Sequence, residues 1–305
     1  LHLGAVGEHD ARIFRQLEGF SEYGFPESHA ASFAILVYAS CWLKRYHPAA
    51  FCAALLNSQP MGFYQPAQLV RDAREHGVEV RPIDVNRSAL GCTLEQPHAT
   101  APGVHRDDVI ADWGRGGPAI PLGLARAKGL SELEGEKIEQ AVNTRGPFDT
   151  VESLWRTSGE SVGALRALAA AEAFGSMGLD RRRALWQIEP LRDVAMPLFD
   201  WSEANGWSDR TDNAGLDALP DRSPASRVLD DYDATGLSLR DHPITFARDQ
   251  MTSMGVTPAC ELRDASAWKR GRRVRVAGIV LMRQRPATAS GVVFITLEDE
   301  TGIAN

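Results

Sequence analysis

Leu122-Gly-Leu-Ala-Arg-Ala-Lys-Gly-Leu-Ser-Glu-Leu-Glu-Gly-Glu-Lys-Ile-Glu-Gln-Ala-Val142 places a glycine and a serine between two helical runs. A helix is expected to end at Lys128, Gly129 to supply a tight turn, and a second helix to start after Ser131. Glycine suits such a turn because it takes positive φ without steric cost and lets another backbone come close. The surrounding residues, Ala119 to Glu189, read as further short helices punctuated by glycine.

This unit looks like a helix-hairpin-helix element, which points backbone N–H groups at a DNA phosphate without reading bases. Lys128, Gly129 and Ser131 are its candidate DNA contacts. The usual hairpin has a second glycine where Ser131 stands, and Glu132, Glu134 and Glu136 crowd the turn with negative charge. A helix C-cap followed by an ordinary N-cap is therefore an equal reading. Ala167-Leu-Ala-Ala-Ala-Glu-Ala-Phe-Gly-Ser-Met-Gly178 resembles a second hairpin, and Leu179-Asp-Arg-Arg-Arg-Ala-Leu-Trp186 opens the helix after it. Arg181, Arg182 and Arg183 could neutralise phosphates, but a solvated basic face is the favoured reading.

Toward the N-terminus, Ala11 to Gly77 has helical spacing, broken at Gly24-Phe-Pro26 and at His47-Pro48. Ser28 or Pro26-Glu27 is expected to cap a helix over about Ala30 to Tyr46. That helix is apolar nearly all round, which predicts burial, with Cys41 and Cys52 as core residues. Ser28 and His29 stand at its start, and Lys44 and Arg45 near its end. Val78 to Val85 alternates as a short strand, and Asn86 to Pro118 reads as short strands and loops.

Toward the C-terminus, Pro190 to Asp233 is rich in Asp, Pro, Gly and Ser, and Asp200 to Trp268 holds about twice as many acidic as basic residues. A linker with small elements is expected. Asp230, Asp231, Asp233, Asp241 and His242 could suggest a metal, but a solvated acidic linker is preferred. From Gly271, alternation at Val274, Val276, Gly278 and Val280 and the β-rich Gly291 to Leu297 predict two strands opening a small β-barrel. Glu298-Asp-Glu300 precedes Thr301-Gly302 and reads as turn chemistry rather than catalysis.

The 305 residues carry a net charge of −7, which argues against a uniformly basic nucleic-acid binder but not against local basic patches. None of the four cysteines forms a C-x-x-C pair, so zinc is not expected, and no apolar run reaches the roughly 18–20 residues of a membrane helix. Reduced cysteines and the lack of a secretory signal predict the cytoplasm.

Phe20-Ser-Glu-Tyr-Gly-Phe-Pro-Glu-Ser-His-Ala-Ala-Ser-Phe-Ala-Ile-Leu-Val-Tyr-Ala-Ser-Cys-Trp-Leu-Lys-Arg-Tyr-His-Pro-Ala-Ala-Phe51 resembles the end of the fingers domain of bacterial C-family DNA polymerases, the DNA polymerase III alpha-subunit type. Cys52-Ala-Ala-Leu-Leu-Asn-Ser-Gln-Pro-Met-Gly-Phe-Tyr64 looks more like the error-prone, damage-inducible branch. Gly146-Pro-Phe-Asp-Thr-Val-Glu-Ser-Leu-Trp155 resembles the segment after the first hairpin, Asp231 to Pro243 a connector, and Val274 to Gly302 the first strands of an OB domain. The resemblance implies a multidomain, mainly α fragment followed by the start of a β OB-fold barrel. Its divisions would be 1–85 fingers, 86–118 strand and loop, 119–189 tandem hairpins, 190–270 connector and 271–305 OB start.

The resemblance implies a DNA-directed DNA polymerase acting in translesion synthesis, with this chain lacking the catalytic palm. No catalytic residue or metal is expected here, and Mg2+ would sit on carboxylates of the palm. Ser28, His29, Lys44 and Arg45 would meet nucleotide or DNA, and Arg275, Arg283, Arg285 and Phe294 would meet single-stranded DNA. Implied partners are primer–template and single-stranded DNA, deoxynucleotide triphosphates, mutagenesis accessory proteins and a sliding clamp, with no membrane. A replicative alpha-subunit fragment and a non-catalytic DNA-binding scaffold are the alternatives.

Overall fold

The computed structural model describes residues 27–62, 64–96, 118–192, 222–263, 273–286 and 291–305, with side chains from residue 30 onward. The helical pattern expected before Gly24 and much of the loop segment 86–118 lie outside the described residues. Three helices come first: α1 (Glu27–Tyr46), α2 (Pro48–Asn57) and α3 (Pro66–Glu75). Pro48 and Pro66 each occupy the first helical turn, where a missing N–H costs nothing. Pro48 also pushes His47 out of helical geometry, to φ −136°, which separates α1 from α2. On α2, Ala49, Cys52, Ala53 and Leu56 recur at three- and four-residue spacing and are all buried.

The strand expected over Val78–Val85 shrinks to β1 (Val80–Arg81), which pairs in parallel with β2 (Ile120–Pro121). Pro82 has no N–H to continue the ladder, and the Val85 N–H goes instead to the Ala173 carbonyl at 2.8 Å.

Next come α4 (Glu132–Arg145), α5 (Val151–Ser158), α6 (Val162–Ala170) and α7 (Arg181–Ile188). Each is announced by a side-chain cap: Ser131, Thr150, Ser161 and Asp180 accept from the N–H groups of Glu134, Ser153, Ala164 and Arg183. Their inner faces supply Ile138, Val151, Leu154, Leu165, Leu168 and Ile188, which join Phe174 and the buried side of α2 and α3 in one core. The backbone of Leu90–Gly91 crosses this layer closely. A Cβ on Gly123 would lie 2.4 Å from the Leu90 carbonyl oxygen, so only glycine fits there.

The described part of the expected acidic linker is more structured than its composition predicts. It contains α8 (Pro224–Thr235), a 3₁₀ turn at Pro243–Ala247, α9 (Arg248–Ser253) and a 3₁₀ turn at Ala259–Arg263. Ser223 caps α8, Gly236 ends it in left-handed geometry, and α8 packs on α6. The chain closes with an antiparallel sheet, β3 (Ile279–Gln284), β4 (Phe294–Asp299) and β5 (Gly302–Ala304), in that order. The ladder starts at Ile279 rather than at Val274, and Gly278 passes under the Glu298 backbone, where a Cβ would approach to 2.5 Å. The expected order of a mainly helical part followed by strands is therefore borne out.

Two burial expectations are corrected. α1 is not enclosed: Phe33, Ile35, Leu36, Val37, Tyr38, Trp42, Leu43 and Tyr46 are 42–73 % exposed, and Cys41 is exposed too. An all-round apolar helix needs neighbours on every side, and among the described residues α2 packs on it without surrounding it. Cys52 is buried as expected, and burial pushes its thiol up to about 12.

Candidate nucleic-acid interface

The first hairpin keeps the expected turn at Gly129 and helix start after Ser131, but the helix expected to end at Lys128 is only a short 3₁₀ turn. A 3₁₀ turn at Leu124–Arg126 leads to Gly129 at φ +90°, and Ser131 opens α4. Its polar groups are turned inward. The Glu134 carboxylate accepts from the Ser131 N–H at 2.9 Å, the Ser131 hydroxyl at 2.8 Å and the Ser161 hydroxyl at 3.2 Å. With the Ser131 hydroxyl accepting from the Glu134 N–H, this is a reciprocal capping box. The Ser131 N–H, and then its hydroxyl, hold the Glu134 carboxyl below the usual range. Lys128 faces α8: its N–H donates to the Ala234 carbonyl and its Nζ to the Tyr232 carbonyl, both at 2.8 Å. It thus satisfies carbonyls left open at a helix C-terminus.

The second hairpin turns at Glu172, which sits at φ +54°, a left-handed conformation that favours glycine. Its N–H donates to Ala169 and that of Ala173 to Leu168, closing the end of α6. Arg240 holds the Glu172 carboxylate at 2.5 Å. Arg181 departs from the expected solvated face. It is 7 % exposed, donates to the Ala170 carbonyl at 2.7 Å, and pairs with Asp230 at 3.0 Å and Asp231 at 2.9 Å. The first residue of a helix lies over the turn before it, so this arginine closes onto the hairpin and α8 instead of reaching solvent. Asp231 also binds Arg240 and Ser238, so at Asp230 and Asp231 the acidic stretch is not the solvated linker expected but is tied into the fold by arginines. Buried Asp84 accepts from the Ser176 N–H at 2.7 Å. Sequence reasoning passed over Asp84, Glu172 and Arg240 because their partners lie 68–92 residues away.

Ser28 and His29 lie inside the first turn of α1, not ahead of it, so Ser28 is not the N-cap. Their side chains lie outside the described atoms. Lys44 pairs with Asp72 at 2.8 Å. It lines a cleft of about 660 Å³ between the first helices and the sheet, with Phe51 and Leu69 on one wall and Met282 and Thr296 on the other. Arg45 is half-buried one residue further on.

The register separates the candidate residues of the sheet. Gln284 lies opposite Phe294 and Arg283 opposite Ile295. Cross-strand partners share a face and neighbours along a strand alternate. Phe294 therefore shares its face with Thr296 and Glu298, and Arg283 projects from the other. Phe294 is 56 % exposed, and Arg283 and Arg285 are exposed. Arg275 braces a turn, donating to the Met254 carbonyl at 2.7 Å.

The turn reading of Glu298-Asp-Glu300 is borne out. Asp299, 1 % exposed, accepts from the Thr301 N–H and hydroxyl, the Gly302 N–H, the Ala259 N–H and Arg248 at 2.7–3.0 Å. Glu298 pairs with Arg71 and lies 3.8 Å from His242, and Glu300 binds Arg248. Burial pushes each of the three carboxyls up, but these donors prevail and hold each below its usual range. Among the described residues no group of three or more His, Cys, Asp or Glu is placed to hold a metal ion. No helix among them is long and apolar enough to cross a membrane.

A helix-hairpin-helix motif model matches residues 77–184, the region that holds both hairpins. Error-prone DNA polymerase 1 of Agrobacterium fabrum is 48 % identical over 302 residues, covering 96 % of this chain and 26 % of that protein. The error-prone DNA polymerase of Mesorhizobium japonicum is 48 % identical over 300 residues, again 96 % of this chain and 26 % of its own length. That of Rhodopirellula baltica is 45 % identical over 304 residues, 99 % of this chain and 24 % of its own. The chain is thus homologous almost throughout to proteins named error-prone DNA polymerase, and spans about a quarter of the length of the curated relatives it matches. The family resemblance seen in the sequence is borne out.

Proposed function

We propose that this chain is a DNA-engaging part of an error-prone DNA polymerase that adds deoxynucleotides to a primer during translesion synthesis. The match over almost the whole chain at 45–48 % identity to proteins of that name carries the reading. In the whole protein, palm carboxylates would hold Mg2+ and supply the nucleotidyl-transfer chemistry. This chain's residues would bind and position. Ser28, His29, Lys44 and Arg45 lie on α1, where a helix start and two cations suit a triphosphate. The exposed apolar girth of α1 suits a helix enclosed by the rest of a longer polymerase. Arg283, Arg285 and exposed Phe294 would contact single-stranded template by charge and stacking. Accessory mutagenesis proteins and a sliding clamp remain partners to test, as does a cytoplasmic location.

A second reading, in which the hairpins serve as scaffold rather than phosphate grip, is favoured by one observation. Glu134 already accepts from Ser131, and Lys128 is spent on α8. Fluorescence anisotropy with labelled single-stranded and primer–template DNA across a salt series tests both. The DNA-engaging reading expects salt-sensitive binding, weakened by Arg283→Ala with Arg285→Ala. The scaffold reading expects Lys128→Ala to leave affinity unchanged. Absence of binding to either DNA at low salt would overturn the DNA-engaging role of this chain.

A further inference from the structure

The three-stranded sheet meets the helical body mainly through charges. Val280, Val293, Phe294, Ile295 and Ile303 stay 37–56 % exposed, and a cleft of about 660 Å³ separates much of the sheet from α2 and α3. Polar contacts span the junction in two places. At one, Arg71 on α3 pairs with Glu298 on β4 and donates to the Asp299 carbonyl at 3.3 Å, and His242, ahead of α9, lies 3.8 Å from the same Glu298 carboxylate. At the other, the β4–β5 turn is held by Arg248 on α9, by the Ala259 N–H on Asp299, and by the Cys260 N–H donating to the Thr301 hydroxyl at 3.0 Å.

These contacts differ in kind. The turn is held by several bonds from two adjacent segments, including backbone N–H groups that no side-chain motion removes. The α3 contact rests on one arginine, itself a quarter exposed and also bound to Glu75. Glu298 and Thr296 share the β4 face that lines the cleft, so the Arg71–Glu298 pair stands at its edge.

We infer that the Arg71–Glu298 pair is a releasable gate and the Asp299–Glu300–Thr301 turn a fixed hinge, so that breaking the pair swings the sheet and widens the cleft. An anionic ligand reaching Arg71 would open the gate by replacing the Glu298 carboxylate. The device does not depend on what the cleft takes, so its failure would leave the polymerase reading untouched.

The test is a distance measurement by pulsed electron paramagnetic resonance on the 305-residue chain. Spin labels go on Tyr64→Cys, on the helical wall, and Val293→Cys, before β4, with the exposed Cys41 and Cys260 changed to alanine. Arg71→Ala and Glu298→Gln should each shift the distribution to longer, broader distances, and Arg71→Lys should restore much of the original. Hydrogen exchange at Ile138 and Leu165 should stay unchanged, showing an intact helical core. An unchanged distribution in both Arg71→Ala and Glu298→Gln would overturn the gate. So would the same lengthening together with loss of protection at the β4–β5 turn, because the hinge would then have failed too.

Discussion

Glu172 shows how one residue can be held in an unfavourable conformation by its side chain. Its left-handed φ of +54° suits glycine, yet its carboxylate is bound by Arg240 and faces Arg181. Replacing it with alanine loses the ion pairs and keeps the strained backbone, whereas glycine loses the pairs and relieves the strain. Glu172→Gly should therefore melt above Glu172→Ala by an increment of about 1 kcal/mol. Thermal unfolding of the two variants checks this, and equal stability would mean that the backbone bears no strain. The same site marks what the sequence could not tell. The arginine run at 181–183 was visible, but only the fold shows that Arg181 turns inward to Asp230 and Asp231.

Helix α4 concentrates the question of what its hairpin is for. Ser131 serves two roles, capping the helix and tying down Glu134 through both N–H and hydroxyl. Ser131→Ala should cost about 1 kcal/mol, the usual worth of such a cap, read as a lower denaturant midpoint. The Glu134 carboxyl has a lowered folded pKa. Its contribution is present above the unfolded value and is lost as pH falls through the folded one. In Ser131→Ala the acid-side loss of stability should be shallower, and an identical pH profile would show that the capping box does not couple to Glu134. Much at this scale was legible locally. Gly129, the helix start at Ser131 and the turn at Asp299 follow from residue types whose partners lie within three positions. The short β1 and the helix α8 were not, because the Val85 N–H goes to Ala173 and α8 leans on α6, both pairings far apart in the chain. The enclosure expected of α1 failed for a related reason: apolar pattern states what a helix needs, not what lies beside it.

Across the whole molecule, helices share an apolar core while the sheet is joined to them by ions. Acid should therefore separate the two parts in order. Glu298, Asp299 and Glu300 all have folded pKa values below their unfolded ones. Each stabilises the docked sheet above the ordinary carboxylate range, and that support is lost as pH falls through the lowered folded values. Limited proteolysis or hydrogen exchange along an acid titration should show β3–β5 losing protection before α4–α7. Arg71→Ala should move that loss to higher pH, and simultaneous loss of both parts would rule out this order.

The pairing of β4 with β3 carries a rule of parity. One face of β4 carries Phe294, Thr296 and Glu298, the other Ile295, Leu297 and Asp299. An insertion or deletion of one residue inside 294–297 would trade these sets while leaving composition almost untouched. Asp299 would then be offered to Arg71, and the hinge would lose its acceptor. Length changes between Arg285 and Gly291 leave these sets in place. Variation in length among natural forms should accordingly gather there, and a one-residue change inside β4 should come only with a bulge such as the one that already shifts β3 against β4 between Val280 and Met282.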